Sequence, residues 1–117
     1  MGMDDAVFFQ SLSDETRLRI IMLLACAHEL PVCHMVDALE LSQPKISRHL
    51  AWLRDAGLVT MRRQAQWIHY RLDEAMQDWK MQTLITVLEG LKDKGLYAAD
   101  RRRLQDKLGR PVPCRAA

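Results

Sequence analysis

Apolar positions along the chain follow one period in its first half and another after it, and the switch predicts the architecture. Val7, Phe8 and Leu12 mark a short helix over residues 4–12. Ser13-Asp14-Glu15 reads as a helix start, with Ser13 as N-cap and acids in the first turn. A strong helix follows over 14–27, with Leu18, Ile21, Leu24 and Ala25 at helical spacing. Leu30-Pro31 ends it, because the residue before a proline avoids the α region. Met35, Val36 and Leu39 predict a short third helix over 33–39. After the polar break Glu40-Leu41-Ser42, Ser42 is a good N-cap, and Pro44 sits in the first turn, where its missing N–H costs nothing. This helix runs to about Ala56, and Gly57 terminates it; Ile46, Leu50 and Leu53 make one apolar face.

From Leu58 onward alternation replaces the helical period. Leu58–Arg63 and Gln66–Leu72 read as a β-hairpin with its tip at Gln64-Ala65; Ile68, Tyr70 and Leu72 share one face, and Trp67, His69 and Arg71 the other. A last long helix is expected over 74–93, with Met81, Leu84, Ile85, Leu88 and Leu91 as its stripe and Gly95 beyond its end. Residues 1–95 are expected to fold as one domain, and 96–117 to form a basic, mobile tail. The fold class is mainly α with a small β-hairpin, in the element order of a winged helix-turn-helix.

Composition narrows the class further. At 117 residues the chain is one domain's length, and 49% hydrophobic content excludes a disordered protein. The net charge of +2, from 17 basic and 15 acidic residues, does not by itself point to nucleic acid. No apolar run is long enough to span a membrane, and Met1 to Asp5 are too polar for a secretory signal. Three cysteines without framework spacing argue against a disulfide scaffold and for the cytoplasm. No nucleophile–base pair, carboxylate pair or phosphate-cradling glycine loop suggests an enzyme.

The placement of polar residues does suggest a partner. With Ile46, Leu50 and Leu53 inward, Gln43, Lys45, Ser47, Arg48 and His49 lie on the outer or N-terminal part of the 42–56 helix. Glutamine and arginine can pair in two bonds with adenine and guanine. Ser42 and the free N–H groups behind it suit a phosphate. Arg62 and Arg63 before the hairpin tip, and Gln66 after it, suit backbone or minor-groove contact. The competing readings are an ordinary solvated helix face and a winged helix that docks protein.

The run Ser42-Gln43-Pro44-Lys45-Ile46-Ser47-Arg48-His49-Leu50, continuing through Ala51-Trp52-Leu53-Arg54-Asp55-Ala56-Gly57-Leu58-Val59, resembles the ArsR/SmtB family of metal-responsive bacterial repressors. Leu12 to Ile20 and Gln66 to Leu72 extend the likeness over about residues 5–92, nearest the arsenic-responsive branch. The resemblance implies a homodimer built on the first and last helices, bound to an imperfect inverted repeat of double-stranded DNA and released by an inducer. Two reading helices would then stand about 34 Å apart. Relatives often carry glycine near the wing tip, where this chain has Ala65. A positive φ there would cost alanine about 1 kcal/mol, so another turn type is expected.

In the arsenic branch the pattern Cys-Val-Cys-x-x-Cys opens the short third helix and binds As(III) or Sb(III). Here the stretch is Pro31-Val32-Cys33-His34-Met35-Val36, and only Cys33 keeps a ligand position. A soft trivalent ion takes two or three thiolates, so a relocated site of Cys26, Cys33 and Cys114 is expected, with organoarsenicals among its ligands. Competing readings are zinc on Cys33, His28 and His34, and oxidation of the Cys33 thiol.

Overall fold

The structure is a computed structural model and describes residues 4–114. Helix α1 (Asp5–Ser11) leads into α2 (Glu15–Ala27). The N-cap of α2 is Asp14, whose carboxylate accepts from the Arg17 N–H at 3.1 Å; the expected cap, Ser13, instead donates its hydroxyl to the Gln10 carbonyl at 2.8 Å. Helix α2 is the central post of the molecule. Ile20, Ile21, Leu23 and Leu24 are buried, and the helix packs against several later elements.

A two-residue strand, β1 (Leu30–Pro31), follows, then α3 (Val32–Leu39) and α4 (Gln43–Asp55). Leu30-Pro31, the expected end of the helix before it, also pairs antiparallel with the second strand of the wing, Leu30 opposite Tyr70. Proline is tolerated on such an edge because it needs no ladder donor on its outer side. The wing itself is β2 (Val59–Gln64) and β3 (Trp67–Leu72), and the sheet order is β1-β3-β2. Helix α4 ends in a Schellman motif: Gly57 (φ 88) donates to Arg54 O at 3.1 Å, and Leu58 donates to Leu53 O at 2.9 Å. At the wing tip Ala65 adopts φ 56, so the turn does take the positive φ that the expectation of another turn type avoided.

The last stretch departs most from expectation. Helix α5 (Asp78–Leu91) begins later than residue 74, because the Asp73 carboxylate accepts from Ala75 N–H at 2.9 Å and closes a local turn first. Instead of a mobile tail, residues 95–108 form helix α6 (Gly95–Leu108), which packs on α2 and α3. Leu104 is fully buried, Val112 nearly so, and the Val112 N–H is held by the Gln105 side chain at 3.0 Å. No helix among the described residues is long and apolar enough to cross a membrane.

Candidate nucleic-acid interface and cysteine pair

The helix-turn-helix is α3, the turn at residues 40–42, and α4. Glu40 closes α3 in the left-handed region at φ 55, and its N–H donates to Val36 O at 2.9 Å. Ser42 then caps α4, its hydroxyl accepting from Lys45 N–H at 3.3 Å, with Pro44 in the first turn. Ile46, Leu50 and Leu53 are wholly buried, which fixes the rotation of α4 about its axis. Ser42, Gln43 and Arg48 are consequently exposed, and Lys45 and Ser47 half-buried. The Gln43 amide donates to the Ser47 hydroxyl at 3.3 Å, which orients it along the outer face.

His49 is half-buried like Lys45 and Ser47 but stands close to Asp14 and Arg17 at the start of α2. Burial lowers its pKa, as do Arg17, Arg48 and Lys45, while Asp14 opposes them. The histidine therefore belongs to the seam between α4 and the start of α2, where Arg17 also stacks on Trp52 at 4.1 Å from the ring centroid.

On the wing, Arg62, Arg63 and Gln66 are all exposed. Arg62 is tied down: its guanidinium holds Glu29 through Nη2 at 2.6 Å and Nε at 3.0 Å, which raises the arginine's pKa and lowers the glutamate's. Arg48 and Arg63 make no ion pair among the described residues, so their charge stays open to a partner. Trp67, which sequence reasoning placed on a wing face and gave no role, is 48% exposed beside the tip. Its only signal in the sequence was a large aromatic at an alternating position with no core to fill.

Cys26 and Cys114, 88 residues apart in sequence, form a disulfide between α2 and the segment after α6, with Cα atoms 4.3 Å apart. The crevice beside them is lined by Met22, Leu23 and Leu88 and by Arg19, Lys92 and Arg101, each of which is paired with a carboxylate: Asp100, Glu89 and Asp93 respectively. Cys33 is a free, exposed thiol at the start of α3. Lys107 reaches its neighbourhood from α6, bound to Asp37 at 2.8 Å, a proximity that no sequence spacing reveals. Among the described residues no three His, Cys, Asp or Glu side chains gather closely enough to hold a metal ion. The structure thus brings two of the three expected thiols together and does not gather Cys33 with them.

A buried apolar side on the second helix of a helix-turn-helix, an outer face of amide and guanidinium groups, and a basic wing define a winged-helix transcriptional regulator. Comparison with known proteins agrees. The model of the bacterial regulatory protein arsR family matches residues 14–61. The arsenic resistance transcriptional regulator ArsR2 of Pseudomonas putida is 46% identical over 89% of this chain and 89% of its own length. The arsenical resistance operon repressor of Escherichia coli is 54% identical over 61% of each chain. Among solved structures, HlyU of Vibrio vulnificus superposes with TM-score 0.62 at 36% identity, covering 74% of this chain and 84% of its own. The chain belongs to the arsR family of bacterial regulatory proteins, whose fold is that of transcriptional regulators and not of enzymes.

Proposed function

We propose that this chain is a cytoplasmic, homodimeric repressor that leaves its operator when a trivalent arsenical is captured by the Cys26 and Cys114 thiols. The observation that carries the reading is the adjacency of those two sulfurs across α2 and the C-terminal segment. Relatives named for arsenic and arsenical resistance supply the chemical class of the inducer. Arsenic(III) forms three bonds. Two thiols displace two hydroxyls from R–As(OH)2 as two waters, and the third substituent stays on arsenic. A two-sulfur site therefore suits a monosubstituted organoarsenical as well as arsenite, and antimony(III) follows the same valence. The three-thiolate arrangement narrows to this pair, and Cys33 stands outside it.

The route to release is short. Cys114 lies just beyond α6, and α6 packs directly on α3 of the helix-turn-helix. Capture at the pair acts on an element that touches the DNA-reading unit. In DNA the exposed Gln43 and Arg48 would meet base edges, Ser42 and Lys45 the backbone, and Arg63 and Gln66 the flanking groove.

The dimer rests on α1 and α5. Phe9 and Trp79 are 52% and 43% exposed and pack over the fully buried Phe8, making an aromatic patch across both helices. On another side of α5, a hollow of about 310 Å³ is lined by Leu24, Leu72, Met81 and Ile85, with His28 and Glu74 also in its wall. An apolar face of this kind is what a second copy would cover.

Titration of thiol-reduced protein on its own upstream DNA with phenylarsine oxide and with arsenite tests the proposal. Release is expected in the parent chain and in Cys33→Ser. It is expected to require at least tenfold more arsenical in Cys26→Ser or Cys114→Ser. Normal release from both of the latter would overturn it. The disulfide supports a second reading, in which oxidation of the same pair by a peroxide is the sensed event. Release on oxidation alone, with arsenicals inert on the reduced protein, would favour that reading.

A further inference from the structure

The end of α3 raises a question that the DNA face does not answer. A helix leaves its last carbonyls without intrahelical donors, and here those carbonyls stand immediately before the turn that launches α4. Two arginines from distant elements meet them. Arg19 of α2 donates from Nη2 to Leu39 O at 2.8 Å. Arg103 of α6 donates from Nε to Ala38 O at 2.7 Å.

Both arginines are held by one carboxylate. Asp100 is 1% exposed. It accepts from Arg19 through Nε at 2.9 Å and Nη2 at 2.8 Å, and from Arg103 Nη2 at 2.8 Å. Hydrogen bonding to Asp100 is the main cause raising the Arg19 pKa, so the guanidinium stays charged despite its burial. Arg103 also lies 3.7 Å from Glu40, the residue that turns the chain out of α3. Planar guanidinium groups pinned from one side by a carboxylate present their remaining N–H groups in fixed directions.

We propose that Asp100 is a positioning residue for DNA recognition: by holding Arg19 and Arg103 on the final carbonyls of α3, it sets the pose of the turn and of the reading helix α4. The proposal rests on the reading that α4 enters the DNA groove. It gives α6 a role in recognition although none of the clamp's groups need touch DNA. It also accounts for a buried Arg19–Asp100 ion pair that an apolar core would not require.

The test compares the dissociation constants of the full, reduced chain for its upstream operator and for a scrambled duplex of equal length, at one salt concentration. Asp100→Asn keeps the size of the side chain but removes its charge and puts an NH2, which cannot accept, where Oδ2 takes the Arg19 Nε–H. Its operator preference, the ratio of the two constants, is expected to fall at least tenfold, with scrambled-duplex binding within twofold of the parent. A merely structural role lowers the folded fraction, weakens both duplexes in proportion and leaves the ratio alone. Arg103→Gln, a change on the half-exposed arm, leaves the Arg19–Asp100 pair in place and decides the matter if Asp100→Asn does not fold; its ratio is expected to fall severalfold, with partial recovery in Arg103→Lys. A ratio unchanged within twofold in the variants that fold would overturn the proposal. A parent chain that shows no operator preference would contradict the DNA-reading proposal itself, and this one with it.

Discussion

Ala65 carries a backbone conformation that its side chain opposes. With φ 56 at the first central position of the wing turn, its Cβ crowds the following carbonyl. Ala65→Gly is expected to raise the stability of the domain by about 1 kcal/mol in equilibrium denaturation. Unchanged or lower stability would show that the strain is absent. Two histidines make a separate prediction. Burial is the leading cause lowering the pKa of both His34 and His49 from 6.5. The unfolded chain therefore takes up these protons first as pH falls through about 6.5, which favours unfolding. Stability should decline from that point until the folded pKa values are passed. Glu29, lowered chiefly by its bond to Arg62, adds stability above its usual 4.5 that is lost as pH falls through its folded pKa. His34→Gln and His49→Gln should each flatten the first decline in denaturation curves taken from pH 7 to pH 5. At this scale the buried triad Ile46, Leu50 and Leu53 was legible because three positions at helical spacing define a face. The tie between Arg62 and Glu29 was not, since the two residues meet only through the sheet.

Among the elements, the proposed interface divides the work of binding between α4 and the wing. Arg48 is exposed on the reading face, and Arg63 is exposed on the wing. Arg48→Ala is expected to cost about 1–3 kcal/mol of operator affinity and to relax preference at one base pair. Arg63→Ala should weaken all duplexes alike and reduce the slope of log affinity against log salt by about 1. Fluorescence anisotropy over a salt series separates the two, and an Arg48 variant that behaves like the Arg63 variant would remove α4 from the groove. The elements that local pattern can specify were readable: α2, α4 and the hairpin each carry a clear period between a cap and a turn. Helix α6 was hidden because its sequence is polar, with Arg101-Arg102-Arg103 in its middle. It is held instead by Leu104, by the Asp100 cluster and by the Cys114 link, each with partners far away in sequence. Strand β1 is two residues long, too short for any alternation to show.

For the molecule as a whole, α6 joins the cysteine pair to the helix-turn-helix, and the proposed dimer face is that of α1 with α5. Trp79→Glu is expected to shift the chain to monomer in sedimentation experiments and to weaken operator binding at least tenfold, because two half-sites would no longer be bound together. A Trp79→Glu chain that remains dimeric would place the dimer face elsewhere. The central claim, that the DNA-bound repressor is released through a two-sulfur arsenic site, is tested most directly by X-ray absorption at the arsenic edge on the reduced protein with bound phenylarsine oxide. The account predicts two arsenic–sulfur bonds, retained in Cys33→Ser and reduced to at most one in Cys26→Ser. Two sulfurs that survive Cys26→Ser and disappear in Cys33→Ser, or three sulfurs around arsenite bound to the parent chain, would contradict it.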